Sequence, residues 1–310
     1  MQGLSILIPT YGFDCRELVS DLRALCEKST LNSQYEIIVI DDGSKNALIC
    51  DRNSKINEWK NCYFSEQSEN TGKAILLNRA VKRAIFPFVL LIDCDAKVCS
   101  ELFITNYLKV AEAADVICGS IITSKAYLRT ANKLRFKYEM AANRIRKQKF
   151  MNAHPYNYFT TFNVLLKKNI FDQIQFNEEI RSYGYEDTLF GLDLKNHCIT
   201  IKYIENPLIH TGIDDNETFL LKTETALQNI ANLSPSYEQI IKVSRIYNKL
   251  KSCGLASVVK VWHHIFGTIE RKQLCSKYPS LILFMIYKLG YYACLPKNHH
   301  VAEQHDSTYK

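Results

Sequence analysis

Short runs of apolar residues alternate, along the first 115 residues, with segments whose apolar residues recur every three or four positions. The first pattern predicts buried strands and the second predicts amphipathic helices. Strands that are apolar throughout and alternate with helices are typical of a parallel sheet covered on both faces. The sequence therefore predicts an α/β fold with a mostly parallel, Rossmann-like sheet. The predicted strands are 4–9, 35–44, 61–66 and 86–93, and the predicted helices are 15–28, 71–85 and 100–114.

The alternation loosens beyond residue 115. Strands are predicted at 115–123, 158–168 and 200–210, the last as two short strands hinged at Asn206 and Pro207. Helices are predicted at 129–148, 185–197 and 216–233. We expect Asn70, Ser100 and Asn216 to cap the helices that follow them, because their short polar side chains can accept a bond from a free backbone amide.

Acidic side chains follow two of the predicted strands. Asp41 and Asp42 end one, and Asp93 and Asp95 end another. Alternation along an extended chain would place Asp93 and Asp95 on the same side, where their charges repel unless a cation lies beside them. The carboxyl ends of parallel strands share one edge of a sheet, where ligands bind. An ordinary exposed turn after a strand is the alternative for each pair alone, and their clustering favours a site.

Charge is concentrated near the end of the chain. The net charge is +7, and residues 242–297 contain ten Lys or Arg and one acid, which leaves 29 basic and 31 acidic residues elsewhere. Basicity confined to one segment favours an anionic surface as partner over nucleic acid. The eleven cysteines form no C-x-x-C pair, and no secretory signal precedes the first strand, so a reducing cytosol is expected.

The basic segment contains an apolar stretch at 280–295 whose longest uninterrupted run has seven residues, 281–287. Because about 20 apolar residues are needed to span a bilayer, this stretch is expected not to cross one. With Trp262, Tyr287, Tyr291 and Tyr292 nearby, peripheral contact with an anionic inner leaflet is one interpretation. A helical cap that packs on the remainder of the chain is the other.

Five segments, taken in order, resemble the inverting glycosyltransferases of family 2, which have the GT-A fold. The resemblance covers about residues 4–233 and implies a catalytic domain at 1–235, with a nucleotide-sugar-binding half at 1–115 and an acceptor half at 116–235. Residues 236–310 then form a basic helical C-terminal extension. The five segments are SILIPTY, IIVIDDGS, NTGKAILLNRA, LLIDCDA and GYEDTLFGLDL.

The resemblance implies a divalent cation, Mn²⁺ or Mg²⁺, because oxygen ligands suit these ions and a cation offsets the charge of a diphosphate leaving group. Asp95 is then the direct ligand, and Asp93 reaches the ribose or a metal-bound water. His210 matches a histidine that some relatives use as a further metal ligand. A structural role is the alternative for His210.

The donor side of the site follows from the same resemblance. Asp42 matches the position that accepts hydrogen bonds from the nucleotide base, and Pro9 and Tyr11 line the base pocket. Asn70 and Lys73 are placed on the nucleotide side of the cleft, with Lys73 near phosphate. A solvent-facing lysine in the first turn of a helix is the alternative for Lys73.

The acceptor side is assigned to the segment around Glu186 and Asp187. Asp187 is expected to be the general base for the acceptor hydroxyl, and Glu186 to support it. Carboxylates that only complement the helix dipole are the alternative. Gly184 would allow a close approach of the sugar. Stacking of a sugar on Tyr156, Tyr158 or Phe159 is as well supported as core packing of these aromatic rings.

These expectations describe a metal-dependent glycosyltransferase. It would move a sugar from a nucleotide-diphosphate sugar, with UDP favoured, to a glycan or lipid-linked acceptor in surface polysaccharide biosynthesis. The lack of a membrane span argues against a processive synthase with its own channel, and a place at the cytosolic face of the membrane is expected. A sugar-nucleotide nucleotidyltransferase is disfavoured, because the first loop offers only Gly12 and Arg16. A catalytically inactive binding relative is disfavoured because every expected acid is present.

Overall fold

The structure, a computed structural model, describes residues 3–31, 33–180, 182–233 and 241–296. The chain forms two compact units. The first comprises 1–127, 140–181 and 186–212, and the second comprises 128–139, 182–185 and 213–310. The predicted boundary between residues 235 and 236 lies outside the described residues, so the domain limits stay a prediction.

Seven strands of the first unit form one mixed sheet, in the order β3-β2-β1-β4-β8-β6-β9. Strands β3, β2, β1 and β4 are parallel, β8 is antiparallel to both its neighbours, and β6 and β9 are parallel. The predicted, mostly parallel sheet is confirmed. The strands are β1 (Leu4–Thr10), β2 (Tyr35–Asp41), β3 (Cys62–Glu66), β4 (Phe88–Ile92), β6 (Val116–Cys118), β8 (Asn163–Lys167) and β9 (Ile201–Tyr203).

Both faces of this sheet are buried. Within β4, Leu90 and Ile92 belong to one apolar cluster, and Val89 and Leu91 belong to the other. Successive side chains of a strand point to opposite faces, so a strand covered on both sides must be apolar at every position. This explains why β4, the central strand of the sheet, is apolar at all five of its positions.

A second, three-stranded sheet lies beside the carboxyl end of β4. Its strands are β5 (Ala96–Val98), β7 (Ile121–Thr123) and β10 (Leu208–His210), in the order β5-β10-β7. Strand β10 is antiparallel to β5, and His210 is paired with Ala96. This register sets His210 beside the residue that precedes Ala96.

Helical periodicity predicts five helices to within four residues at each end. They are α1, predicted at 15–28, α3 at 71–85, α4 at 100–114, α7 at 185–197 and α8 at 216–233. The predicted helical extension is confirmed over its described residues by three helices, α9, α10 and α11. The helices are α1 (Arg16–Lys28), α2 (Ala47–Ser54), α3 (Lys73–Arg83), α4 (Phe103–Val110), α5 (Lys133–Ile145), α6 (Gln148–Ala153), α7 (Glu186–Asn196), α8 (Asn216–Asn232), α9 (Lys242–Ser252), α10 (Ala256–Leu274) and α11 (Leu281–Cys294).

Three element predictions are wrong. The single strand at 115–123 is two strands, because at Gly119 the chain passes so close to Asn163 that a side chain would overlap it. The strand at 158–168 begins only at Asn163, after a short 3₁₀ helix that starts at Pro155. The long helix at 129–148 begins at Lys133 and ends at Ile145, and a separate short helix, α6, follows it.

Of the three predicted caps, Asn70 and Asn216 are wrong. Helix α3 is preceded by Gly72. The Ser100 hydroxyl does accept from the backbone N–H of Leu102 at 3.2 Å, in the turn before α4, although Leu102 itself occupies the cap position. Helix α8 is capped by Asp215, whose carboxylate accepts a bond from the backbone N–H of Thr218 at 2.8 Å. The Asn216 side chain instead accepts from the backbone N–H of Leu134 at 2.7 Å. A carboxylate is favoured over an amide at a helix N-terminus because it also complements the helix dipole.

The second unit has a core of its own. Leu134 from α5, Phe219 and Leu220 from α8, and Phe284 from α11 are buried together. Among the residues that the structure describes, no helix combines the length and the apolar character needed to cross a membrane.

Candidate active site

The carboxylates of Asp93 and Asp95 lie in a tight turn directly after β4. The backbone N–H of Ala96 donates to the carbonyl of Asp93 at 3.1 Å, so the expectation of extended alternation through these residues is wrong. The two side chains are nevertheless close. Burial raises the pKa of Asp93 above its ordinary value; the ammonium of Lys73 opposes this shift, and the carboxylates of Asp95 and Asp187 add to it.

Lys73 is the cation of this acidic cluster. Its Nζ donates to Oδ1 of Asp93 at 2.7 Å. Burial acts to lower the pKa of Lys73, but the carboxylates of Asp93, Asp187 and Glu186 raise it above its ordinary value. The lysine is therefore protonated at neutral pH. The alternative of a solvent-facing lysine is wrong, and the side chain is half-buried against Asp93.

His210 lies next to Asp95, as the register of β10 and β5 requires. The imidazole Nε2 is 3.0 Å from Oδ2 of Asp95, and His210 is buried. Thr211 donates to the backbone carbonyl of Asp95 through its N–H at 2.9 Å and its hydroxyl at 2.7 Å. A side chain at Gly212 would overlap the Asp95 carboxylate, so only glycine fits there. An imidazole nitrogen and a carboxylate oxygen this close together suit a divalent cation such as Mn²⁺ or Mg²⁺.

A second group of candidate ligand atoms belongs to Asp41, Cys50 and Glu66, all within 4.8 Å of one another. Both carboxylate oxygens of Asp41 already accept backbone bonds, from Gly12 at 3.0 Å and from Ser44 at 2.7 Å. These bonds hold the loops after β1 and β2 together. The contacts of the Asp41 carboxylate are thus explained by the fold, and Asp95 and His210 are the stronger candidates to hold a cation.

Asp42 is buried and holds the loop that leads into α3. Its carboxylate accepts from the N–H of Thr71 at 2.9 Å, from the hydroxyl of Thr71 at 3.0 Å and from the N–H of Gly72 at 2.9 Å. This loop carries Asn70, which is exposed, and ends at Lys73. Asp42 thus fixes the start of the helix whose first residue pairs with the acidic cluster.

Pro9 and Tyr11 lie at the end of β1, beside the end of β2, as expected. Pro9 is partly exposed and the Tyr11 side chain is 60% exposed. The backbone N–H of Asp42 donates to the carbonyl of Thr10 at 2.9 Å. An exposed ring at the mouth of this edge is available to pack against a planar ligand.

Asp187 is held in place by two threonines. Oδ2 accepts from the hydroxyl of Thr160 at 3.0 Å and from the N–H of Thr161 at 3.1 Å, and Oδ1 accepts from the hydroxyl of Thr161 at 2.9 Å. Asp187 is partly exposed, whereas the neighbouring Glu186 is buried. Of the two acids, Asp187 is the one that is both oriented and accessible.

The expected role of Gly184 is wrong. A side chain there would overlap Ala226 of α8, and its φ of +110° is one that glycine adopts without strain. The close approach that requires glycine is therefore with a helix and does not concern a sugar.

The three aromatic rings assigned to the acceptor have different environments. Phe159 is buried 5.5 Å from the ring of Phe190, so it is a core residue. The hydroxyl of Tyr156 donates to the carbonyl of Ile199 at 3.0 Å. Tyr158 is partly exposed and lines a small surface cavity of about 60 Å³, which is lined by Gly119, Ser120, Ile121, Asn143, Arg146, Met151, Tyr158, Thr160 and Tyr203.

This cavity adjoins the oriented carboxylate, because Thr160 both lines it and donates to Asp187. Arg146 is exposed at its wall. Within the part of the chain that the structure describes, its guanidinium makes no ion pair. The cavity thus has an uncommitted positive charge on its wall, and at Thr160 it reaches a residue that contacts the candidate base.

Sequence reasoning missed the residues that position these groups: Thr71, Thr160, Thr161 and Gly212. Threonine is common in loops, so no local signal distinguished these from others. Gly212 follows His210 by two residues, and that proximity was the available clue.

A model of the family described as glycosyl transferase family 2 matches residues 5–175. The chain belongs to glycosyl transferase family 2. Chondroitin synthase from Pasteurella multocida (strain Pm70) is 25% identical over 223 residues, which are 62% of this chain and 23% of that protein. The chain thus spans about a quarter of the length of this curated relative.

Two solved structures support the fold of this family 2 chain. A mannosyltransferase from Pyrobaculum calidifontis, in complex with GDP-Man and Mn²⁺, has a TM-score of 0.56 and 15% identity and covers 94% of this chain and 84% of its own. S. aureus TarS in complex with UDP-GlcNAc has a TM-score of 0.51 and 17% identity and covers 94% of this chain and 89% of its own. The expected GT-A fold is confirmed.

Proposed function

We propose that this chain transfers a sugar from a nucleotide-diphosphate sugar to a hydroxyl group of a glycan or lipid-linked acceptor, in the biosynthesis of a surface polysaccharide. One observation carries the proposal: the ammonium of Lys73 donates to Asp93 at 2.7 Å, and the carboxylates of Asp93, Asp187 and Glu186 raise its pKa. A group expected on the donor side and the group expected to deprotonate the acceptor therefore act on one side chain. Family membership supplies the class of reaction.

The donor is proposed to bind at the ends of β1, β2 and β4, where ligands of parallel sheets bind. Asp42 would accept from the base, with Pro9 and Tyr11 beside it, and Asn70 would contact the nucleotide. Lys73 would meet the diphosphate. TarS was solved with UDP-GlcNAc and the mannosyltransferase with GDP-Man. We favour a UDP-sugar.

Asp95 and His210 would hold a divalent cation, Mn²⁺ or Mg²⁺, with Asp93 directed at the ribose or at a water. The fit rests on the 3.0 Å approach of the imidazole nitrogen to the Asp95 carboxylate. When bound, the cation supplies positive charge that offsets the charge developing on the diphosphate.

The transfer is proposed as a single displacement with inversion at the anomeric carbon. The acceptor oxygen forms a bond to that carbon while the bond to the diphosphate oxygen breaks, and the hydroxyl proton passes to Asp187. Thr160 and Thr161 orient this carboxylate. Glu186 supports the site through its charge near Lys73.

The acceptor is proposed to enter the cavity at Tyr158 and Thr160, because Thr160 connects its wall to Asp187. The uncommitted guanidinium of Arg146 would favour an acceptor that carries a carboxylate or phosphate group, since a charged pair in a partly enclosed site adds a strong hydrogen bond.

Peripheral contact of the basic C-terminal extension with an anionic membrane is also proposed, at the face of the membrane where nucleotide sugars are available. It is supported by the excess of cations at 242–297. A lipid-linked acceptor would be encountered at such a surface.

Two other functions are less well supported than sugar transfer. The family match disfavours a sugar-nucleotide nucleotidyltransferase. An inactive sugar-nucleotide-binding relative remains a competing candidate, but the oriented and accessible carboxylate of Asp187 favours catalysis. An inactive relative would bind donor and release no nucleotide.

Release of nucleotide from a UDP-sugar, with water or an added glycan as acceptor, tests the proposal. We expect Asp187→Asn to abolish release while metal-dependent donor binding remains. The matched control is Asp193→Asn on the same helix, α7, which should leave release unchanged. Retained turnover in Asp187→Asn would transfer the role of base to Glu186, and donor binding without any release by the unaltered protein would indicate an inactive relative.

A further inference from the structure

Helix α10 exposes a continuous apolar face. The exposed apolar residues of this helix recur at three- and four-residue spacing, which places them along one side. The buried residues of α10, Gly267, Glu270 and Leu274, lie on the other side. We call the exposed face the outer stripe; it consists of Val258, Val261, Trp262, Ile265, Phe266 and Ile269, which are 36% to 63% exposed.

Helix α11 adds a smaller exposed apolar surface in the same unit. Ile282, Met285 and Ile286 are 77%, 43% and 40% exposed. The sequence offered Trp262, Tyr287, Tyr291 and Tyr292 for a membrane contact, but Tyr287 and Tyr292 are buried and their rings are not available for it. Trp262 is exposed, and the larger exposed apolar face is the one on α10 to which it belongs.

The two helices pack closely. A side chain at Gly290 of α11 would approach the ring of His263 of α10 to 2.7 Å, so glycine is needed at that contact. Within the outer stripe, the rings of Trp262 and Phe266 are 4.5 Å apart. The Trp262 indole N–H donates to Glu270 at 2.8 Å. The stripe is therefore part of a packed helix pair that holds its rings in place.

All exposed charged side chains of residues 242–296 are basic. The one acid of this range, Glu270, is buried, and Arg271 pairs with Glu224 of α8. No carboxylate of the range is thus available at the surface to offset the cations. Seven Lys or Arg of the range are exposed: Lys242, Arg245, Lys249, Lys251, Lys260, Lys272 and Lys277.

Building on the membrane contact of the proposed function, we propose that the outer stripe docks on an anionic lipid bilayer, with α10 lying in the plane of the interface. An exposed apolar stripe, in a segment whose exposed charged side chains are all basic, matches the two properties of such a surface, its acyl boundary and its negative headgroups. A second copy of this chain would bring the same positive charges to the contact, which opposes self-association through the stripe. A nucleic acid would match the charge and leave the apolar stripe uncovered.

The docking surface stands independently of sugar transfer. It uses no residue of the site around Asp95 and Asp187, so substitutions in the outer stripe leave the release of nucleotide into solution unchanged. A stripe variant that loses membrane binding but still releases nucleotide would assign membrane binding to the stripe. A protein that binds membranes but releases no nucleotide would count against the proposed reaction and not against the docking surface.

Co-sedimentation of the full chain with lipid vesicles tests the proposal. We expect binding to vesicles of phosphatidylcholine mixed with phosphatidylglycerol, weaker binding to phosphatidylcholine alone, and a decrease as salt is raised. The variant Val258→Ser, Ile265→Ser, Ile269→Ser should weaken binding by about tenfold or more, because three exposed apolar side chains are lost from the contact. Its thermal unfolding should match that of the unaltered protein, since these side chains are about 60% exposed.

The matched control removes exposed apolar side chains elsewhere. The variant Leu48→Ser, Ile85→Ser, Leu221→Ser, at positions 51% to 72% exposed, should bind vesicles as the unaltered protein does. A second readout is the emission of Trp262 in a Trp59→Phe background, which should shift to shorter wavelength on mixed vesicles.

Three results would overturn the proposal. They are failure of the unaltered protein to bind mixed vesicles, equal binding by the stripe variant, and equal binding to both vesicle types. A concentration-dependent dimer that the stripe substitutions disperse, without vesicle binding, would assign the stripe to an interface between copies.

Discussion

The ammonium of Lys73 lies 2.7 Å from a carboxylate oxygen of Asp93. This pair joins the first residue of α3 to the turn after β4, and it places one positive charge inside a group of acids that includes Asp187. Like charges so close together are tolerated because Lys73 lies among them. Lys73 thus offsets the repulsion that the negatively charged diphosphate of a donor would otherwise meet from these acids.

Replacing Lys73 tests this relationship. We expect Lys73→Met to lower the free energy of unfolding by about 2 kcal/mol, because it leaves Asp93 without its charged partner. The control Lys97→Met removes a more exposed pair with Glu17 and should cost less than about 1 kcal/mol. Thermal unfolding at neutral pH measures both, and equal losses would contradict the account.

The same variant should respond to pH. A carboxyl whose pKa is raised on folding takes up its proton more readily in the folded state, so stability increases as the pH falls through that pKa. Without Lys73, the raised pKa of Asp93 loses the influence that opposes it. The difference in stability between Lys73→Met and the unaltered protein should therefore narrow from pH 8 toward acidic pH. A constant or widening difference would mean that Asp93 is not the group left unpaired.

Metal affinity should depend on Asp95 and His210. We expect Asp95→Asn to abolish Mn²⁺ binding and His210→Gln to weaken it about 10-fold to 100-fold, since each removes one ligand atom from a pair 3.0 Å apart. Calorimetric titration with Mn²⁺ measures this. His197→Gln, at an exposed histidine, is the control. Unchanged affinity in His210→Gln would make the imidazole a structural partner of Asp95.

Gly212 offers a test of geometry with no change of charge. In Gly212→Ala the new methyl group would overlap the Asp95 carboxylate, so the carboxylate must move. We expect Mn²⁺ affinity to fall about tenfold or more. Gly254→Ala is the control: a side chain there meets no atom within 4 Å, and although the φ of +75° adds local backbone strain, Gly254 belongs to the second unit and Asp95 to the first, so metal affinity should be unchanged. Full metal affinity in Gly212→Ala would show that the position of Asp95 is not critical.

The sequence predicted the parts of this site that depend on neighbouring residues, and it did not predict the parts that depend on contacts between residues far apart in the chain. Asp42, Asp93 and Asp187 were predicted because each directly follows a strand or opens a helix, and such positions are visible in a local pattern. The turn at Asp93 and Asp95 was not predicted, because nothing local distinguishes a strand that ends at Ile92 from one that continues. The contact of His210 with Asp95 depends on the pairing of β10 with β5, which joins residues more than 100 positions apart.

The orientation of the C-terminal helices was also beyond local patterns. Residues 280–295 are apolar on nearly every side, so periodicity could not decide that Tyr287 and Tyr292 face the core. Along the sequence of α10, charged residues and histidines separate the apolar residues, yet packing leaves these apolar residues exposed along one side of the helix. Burial among helices is a long-range property, and the hydrophobic pattern alone does not specify it.

Arg146 should determine preference among acceptors. We expect Arg146→Gln to raise the KM for an acceptor that carries a carboxylate or phosphate about tenfold, and to leave kcat and the KM for a neutral acceptor unchanged. The control is Arg144→Gln on α5, which does not line the cavity. An equal rise in the KM for charged and neutral acceptors would mean that Arg146 does not bind the charged group of the acceptor.

The binding of a nucleotide sugar with and without Mn²⁺ tests the central claim most directly. Calorimetric titration of the full chain with a panel of UDP- and GDP-sugars should show one donor whose affinity increases at least tenfold when Mn²⁺ is added, and this increase should vanish in Asp95→Asn. Absence of binding by every nucleotide sugar, or binding that is indifferent to Mn²⁺ and to Asp95, would contradict the account.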